Sequence, residues 1–462
     1  MRRTVLWLVV SAMLGSFSLA AQTSSSANVA TQQAAPTASA SSPPQLPAGG
    51  APQRLTVQDA EALALKNNPQ ISVYRLLALA SQQVTREQKS AYYPNLYGSL
   101  TAVKPKEGGS RIAAGNLNNP LVYERAAGGL ALSQLITDFG RTNNLVATAA
   151  LRAKAADMNA AATVDQIKLA VDQAFYNALQ TVALLRVAEE TVRARQLVSD
   201  QITTLFDNKL RSQLDVSFAN VNLAQAKLLL LDAQNNQQAA LSALSEVLGY
   251  SAQQQFDLVD SEAGLKPPPD SVTQLQDRAF SNRPEIAAQD YEYQAAQHFQ
   301  RAERDEMFPS VDALGVVGRT PYSNSIAGVT PFTSWYGAVG VNVNIPIFNG
   351  FLYPARSREA AVRAQASGEQ LRDLKDRIAN DVRTSWLNAI TAYNRISVTQ
   401  QFVDQANLAV NLSETRYNLG LSSIVELSQA QLQQTEAQIQ FAAAKYQYQI
   451  AQAVLRFQVA AP

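Results

Sequence analysis

The sequence contains no cysteine and a single histidine, His298. Disulfide staples are therefore excluded, as is metal chemistry that needs thiolates or several imidazoles. Neither sign of charge is in excess: 38 Lys and Arg stand against 37 Asp and Glu. Such a balance leaves no basic surface to track a phosphate backbone and argues against a nucleic-acid partner. A P-loop, a nucleophile elbow and zinc-ligand spacing are also missing, so an enzyme has little support and no cofactor is expected. His298, beside Ala295, Ala296 and Phe299 on a helical pattern, reads as structural. After the opening segment there is no uncharged apolar run of about 18 residues, the length a helix needs to cross a bilayer. What remains open is a secreted protein or a β-barrel.

The opening segment, MRRTVLWLVVSAMLGSFSLAAQ, has two arginines, an apolar run and small residues at its exit, and is read as a signal peptide over residues 1–21. Residues 22–53 are rich in Ala, Ser, Thr, Gln and Pro. They cannot bury enough apolar area to offset their ordering entropy, and a disordered leader is expected.

The dominant positive feature is an internal duplication. LTVQDAEALALKNNPQI, from Leu55, has a counterpart in SVTQLQDRAFSNRPEI, from Ser271; AYYPNLYGSLTAV, from Ala91, has one in EMFPSVDALGVVG, from Glu306. Val171, Ala178, Leu185, Val192 and Phe206 lie 211 positions before Val382, Ala389, Ile396, Val403 and Tyr417, with spacings of seven or a multiple of it. A sustained seven-residue apolar register specifies a left-handed coiled-coil seam. The returning segments carry Leu214, Val221 and Leu228, then Val425, Leu432 and Ile439, again seven apart, and are expected to continue the seam. Each half thus holds a helical hairpin whose outgoing arm, near residues 141–205 or 352–416, would be about 100 Å long at about 1.5 Å per residue. The domain plan is a first repeat over residues 54–249, an equatorial linker over 250–270 and a second repeat over 271–459.

Between the short and long helices the period changes from helical to two. In SWYGAVGVNVNIPIF, residues Trp335, Val339, Val341, Val343 and Ile345 fall on one face and Asn342 and Asn344 on the other, as in a strand with one apolar and one wet side. YERAAGGLALSQLI is a weaker version, and NLYGSLTAV and SVDALGVVG complete two hairpins, at about residues 95–136 and 309–347. Four strands are too few for a single-chain barrel, and an open edge is not tolerated in lipid, so a membrane barrel must be shared between chains. A soluble antiparallel sheet packed on helices is the alternative that needs no partner.

Taken in order, LTVQDAEALALKNNP, YPNL at residues 93–96, DFGR at 138–141, FNGF at 348–351 and RYNLGLSSIVEL at 416–427 resemble the TolC-type outer-membrane efflux proteins. That resemblance implies a mainly α fold with a β-barrel part. Long antiparallel coiled-coil hairpins form an α-barrel, and each chain gives four strands to a shared twelve-stranded transmembrane barrel. It further implies a homotrimer in the lipid of the bacterial outer membrane, with its helical part in the periplasm. The trimer would work as a passive conduit coupled through a periplasmic adaptor (membrane fusion) protein to an inner-membrane transporter, in efflux or type I secretion. A periplasmic coiled-coil adaptor is the rival reading, but an adaptor needs only one hairpin flanked by soluble β-domains.

The same resemblance makes RYNLGLSSIVEL and LFDNKLRSQLDV the periplasmic tips. Phe206, Lys209, Leu210, Arg211 and Ser212, with Tyr417, Gly420, Leu421, Ser422 and Ser423, are the candidate adaptor contacts. Gly420 suits a residue just past a helix C-terminus with positive φ, whereas Lys209 takes that place in the first repeat and makes the shape of its turn less certain. Ser212 with Asp215, and Ser423 with Glu426, have capping-box spacing. Asp215 and Glu426 carry a second reading, as acidic rings at a pore constriction that favour cations.

Overall fold

The computed structural model describes residues 53–104, 110–111, 121–122, 125–260, 265–269, 271–323 and 334–460. The expected signal peptide and the leader up to residue 52 lie outside the described residues, as does much of each β-hairpin loop.

The two repeats run in parallel order. The first has β1 (Gln53–Leu55), α1 (Val57–Asn67), α2 (Pro69–Lys89), β2 (Asn95–Val103), the two-residue strands β3 (Ser110–Arg111) and β4 (Leu121–Val122), β5 (Arg125–Thr137), α3 (Arg141–Asp207) and α4 (Gln213–Val247). After β6 (Phe256–Leu258) the second has α5 (Val272–Asn282), α6 (Pro284–Asp305), β7 (Ser310–Ser323), β8 (Ser334–Asn344), α7 (Leu352–Asn418) and α8 (Ile424–Val459). Local chemistry sets the breaks. Thr56 and Asp59 form a capping box that starts α1. Asn68 then ends α1 and caps α2, whose first residue is Pro69, where a missing N–H removes nothing from the helix; Pro284 opens α6 in the same way.

The outgoing helices α3 and α7 are 67 residues each and begin and end 211 positions apart. Their expected seam is present: Val171, Ala178, Val382 and Ala389 are fully buried, and Tyr417 nearly so. The returning arms correct the expectation. Leu214, Val221, Val425 and Leu432 are all more than half exposed, while the buried face of α4 is made by Val216, Ala219, Leu223, Ala226 and Ala233. The seven-residue row on α4 points away from its own chain. Near mid-height, Leu55, Ala60, Ala64, Val171, Phe175, Leu244 and Leu248 form one core, and Leu275, Ala279, Ile286, Val382 and Val459 form its counterpart. A three-residue parallel ladder between β1 and β6 closes the first of these.

The main sheet is antiparallel, in the order β2-β5-β7-β8, and the β5–β7 pair joins the repeats. Its register puts Leu96, Leu132, Gly315 and Val339 in one cross-strand row and Gly98, Leu130, Val317 and Gly337 in the next on the same face. By strand alternation Ser99, Ser133, Asp312 and Asn342 take the other face. On that polar face the Tyr336 ring crosses two glycines of neighbouring strands, and a Cβ on Gly129 would stand 2.7 Å from its hydroxyl. The apolar face has no partner in the chain: Leu100 and Val339 are each 93% exposed.

Candidate functional site

Three layers of the molecule share one property. In the sheet the outer strands are β2 and β8, each with one unpaired edge. In the helical wall nearest the sheet the packing order is α2, α3, α6, α7, and toward the tips it is α4, α3, α8, α7. Neither α2 nor α4 packs substantially against α7. One flank is therefore first-repeat throughout (β2, α2, α4) and the other second-repeat throughout (β8, α7). Both flanks are apolar where they stand free. Leu76 and Leu77 on α2 and Leu214 and Leu228 on α4 are exposed, as are Val398, Leu408 and Leu412 on α7. Leaving such rows in water forgoes about 1.5–3 kcal/mol for each side chain that a partner would bury.

Sheet and wall meet at two matched turns. Phe139 and Gly140, and 211 positions later Gly350 and Phe351, all have positive φ (56°, 112°, 66° and 68°). Asp138 starts α3 by accepting from the Thr142 amide at 2.7 Å and the Thr142 hydroxyl at 2.6 Å. Glu306 bridges the starts of the two long helices, 3.4 Å from Arg141 and 3.4 Å from Arg356. His298 is half-buried, its Nδ1 3.0 Å from the Asn144 side-chain oxygen, so it joins α6 to α3.

At the far end the two tips pack on one another. Ile202, Val216 and Ala219 from the first hairpin and Tyr417, Ile424 and Leu427 from the second form one cluster, with Phe206 half-buried against it. Arg211 crosses between the hairpins: its guanidinium lies 4.1 Å from the centre of the Tyr417 ring and donates to the Tyr417 carbonyl at 2.9 Å. Burial raises the Tyr417 phenol above its ordinary pKa, and the nearby Asp215 carboxylate pushes the same way. Arg211, Asp215, Tyr417 and Phe206 are thus brought together. Leu210 and Leu421, which correspond across the repeats, instead stand out from the turns at 68% and 67% exposure.

Lys209 takes the conformation that Gly420 takes. Its φ is 60° against 73°, and both turns close with the same pair of backbone hydrogen bonds, Leu210 to Leu205 and Leu421 to Arg416 at 2.8 Å each being the longer-range one. The turn whose shape is uncertain from sequence matches its counterpart, at a cost of about 1–2 kcal/mol for a residue with a Cβ. The acids behave differently. Asp215 forms the full capping box, receiving the Ser212 amide at 3.0 Å and the Ser212 hydroxyl at 2.9 Å. The box expected at Ser423 is only half made: the Ser423 hydroxyl accepts from the Glu426 amide at 3.4 Å, but the Glu426 carboxylate turns to Arg416, at 3.2 Å. Arg416 ends the preceding helix and competes for that carboxylate across the turn. The hydroxyl of Ser422 is buried without a hydrogen-bond partner.

Further up the hairpins the seams turn polar, which sequence reasoning missed. Arg195 on α3 is buried and donates to the Gln431 carbonyl at 2.8 Å and to the Thr435 hydroxyl at 3.1 Å on α8; among the described residues it has no carboxylate partner. Asn222 on α4 donates to Ser428 on α8 at 2.8 Å. No helix among the described residues is long and apolar enough to cross a membrane.

The Outer membrane efflux protein family matches residues 62–250 and 275–460, one stretch in each repeat. Among characterised relatives, the alkaline protease secretion protein AprF of Pseudomonas aeruginosa is 25% identical over 414 residues, covering 87% of this chain and 84% of AprF. The outer membrane protein TolC of Escherichia coli K12 is 25% identical over 335 residues, covering 70% and 67%. Among solved structures, the CmeC outer membrane channel of Campylobacter jejuni superposes with a TM-score of 0.73 at 17% identity, over 87% of this chain and 85% of that one. A duplicated chain with two long hairpins, a four-stranded sheet that is apolar outside and polar within, and a family match in both halves leaves one assignment: the chain belongs to the outer membrane efflux protein family, TolC-type channels that sit in the outer membrane and extend a helical part into the periplasm.

Proposed function

We propose that three copies of this chain close into one passive conduit, each giving four strands to a twelve-stranded barrel and two hairpins to the tunnel beneath it. The single observation that carries this reading is that sheet and wall stop at the same two flanks, first-repeat on one side and second-repeat on the other. Unlike faces that complement one another generate a head-to-tail ring, and a ring leaves no sheet edge in lipid. In this reading residues 1–21 direct export and are removed. The tips dock onto a periplasmic adaptor through Leu210, Leu421 and the turn residues around them. An inner-membrane transporter supplies the energy, since the sequence carries no nucleotide-binding motif. The test is the mass of the detergent-solubilised complex measured together with its conductance in a planar bilayer. A three-copy mass with ion conductance is expected; a compact monomer stable in plain buffer rejects the proposal.

Asp215 and Glu426 are assigned to the narrow end of this conduit, where three copies of each would form negative rings. Glu426 is the more exposed of the two, and its removal leaves the exposed Arg416 uncompensated, so its loss changes the local charge more. Replacing Glu426 with alanine is expected to lower cation preference in single-channel recordings, and replacing Asp215 to lower it less. Unchanged selectivity in both variants removes the assignment.

A further inference from the structure

A carboxyl pair lies in the mid-height girdle, apart from the tips and from the sheet. Asp172, on α3, is 7% exposed. One of its oxygens accepts from Arg456 of α8 at 3.3 Å; the other, Oδ1, is fully buried and has no hydrogen-bond donor. Glu61 of α1 and Asp172 line one cavity of about 350 Å³ together with Lys168, Asp165 and Arg456. Two ionised carboxylates cannot face one another in such a place unless something neutralises one of them. Arg456 is too exposed, at 48%, to do so fully, and the described residues contain no cluster suited to a metal.

We propose that Asp172 holds a proton that it shares in a hydrogen bond with Glu61, a pH-dependent clasp that fastens α1 to the α3–α8 pair. Once protonated, Oδ1 of Asp172 becomes a donor with the Glu61 carboxylate as its acceptor, which gives it the partner it lacks. Burial first, and Glu61 second, push the Asp172 carboxyl up to about 7, with Arg456 and Lys168 pulling the other way. The remaining charged groups nearby are Asp165 on α3, itself raised by burial between Lys168, Glu285 and Arg283, and Tyr176 on α3, raised by burial and by Asp172. Asp260, beyond β6, acts on Tyr176 and is held by Lys445. The second repeat has no such clasp. With Pro69 and Pro284 matched, Gln276 stands where Glu61 does and donates to the Ala379 carbonyl at 2.9 Å, and Arg383 replaces Asp172 and is exposed.

Because the value is raised, the folded state holds this proton more tightly than the unfolded chain, whose carboxyl has the ordinary value of 3.8. The contribution is complete below 3.8, falls as pH rises toward 7 and is gone above it. α1 therefore loosens as the medium turns from acid to neutral, while α5 does not.

Hydrogen exchange of the detergent-solubilised full chain between about pH 5 and 8 tests this, with rates corrected for intrinsic exchange and α5 as the internal reference. In the wild type, α1 protection is expected to fall relative to α5 by up to about ten-fold per pH unit until about pH 7, then level off. Asp172→Asn, a neutral isostere that keeps a donor, should leave α1 protection flat across the range. Glu61→Gln, which removes the smaller of the two causes and leaves burial, should move the α1 step to lower pH, and it serves as the second reading should the Asp172 variant fail to fold. Parallel behaviour of α1 and α5 in the wild type, a pH step that survives in Asp172→Asn, or one that stays in place in Glu61→Gln, overturns the proposal.

Discussion

The two hairpin tips have the same backbone and different chemistry. Lys209 and Gly420 share a left-handed conformation and the same closing hydrogen bonds, yet Asp215 is locked into its own helix start while Glu426 reaches out to Arg416. The girdle repeats the lesson, with a carboxyl pair in one half and Gln276 and Arg383 in the other. Duplication has kept the path of the chain, which the ring demands, and let side chains diverge where only local partners are involved. The start of α4 is consequently fastened by a full capping box and that of α8 by half a box and an exposed ion pair of small worth, while Arg211 stacked on Tyr417 ties the two tips together.

The largest effects should be those that treat the halves as equals. Val171 and Val382 are both fully buried and 211 positions apart. Val171→Asp and Val382→Asp each bury an ionised or newly neutralised carboxyl, at more than about 4 kcal/mol, and both should abolish recovery of the detergent-stable complex. A complex that tolerates one and not the other breaks the equivalence of the two cores. Next, the acids should separate the tips. Asp215→Ala is expected to cost about 1–2 kcal/mol and Glu426→Ala at most about 0.5 kcal/mol, read as thermal midpoints by circular dichroism. Equal losses would mean that the capping difference has no energetic weight. The turn residues come next. Lys209→Gly relieves a left-handed lysine and should stabilise by about 0.5–1 kcal/mol. Gly420→Ala, whose Cβ would meet no atom within 4 Å, should destabilise by about 1 kcal/mol through backbone strain alone. Opposite signs at matched positions would sharpen the comparison; the same sign would contradict the shared geometry.

The outgoing seams are legible in the sequence because each apolar row finds its partner inside the chain, and a seven-residue period sustained along a helix of 67 residues specifies little besides a coiled-coil seam. The returning rows mislead for a related reason. Spacing reports that a helix face is apolar, but it does not say whose surface will cover it, and Leu214 and Val221 are left uncovered by their own chain. The strands can be read from alternation and glycine content, and their boundaries move by only a few residues. The β1–β6 ladder is three residues long and has no period to detect. At the candidate site, the Gly420 turn and the Ser212–Asp215 box are legible because they are local, whereas Lys209 hides the matching turn of the first repeat. The fate of Glu426 is not, since it is decided by Arg416 across the turn. Arg195 and the Glu61–Asp172 pair are hidden too. A polar residue within a long helix reads as a solvated face until the neighbouring helix is known.

The unlike flanks carry a genetic consequence. A copy disabled only along α7 still presents a sound β2, α2 and α4 edge, so it can be recruited by healthy subunits and then fail to seal the circle. Co-expressed with the wild type, such a mutant should poison the assemblies it enters, a dominant phenotype that simple deletion of the gene would not produce.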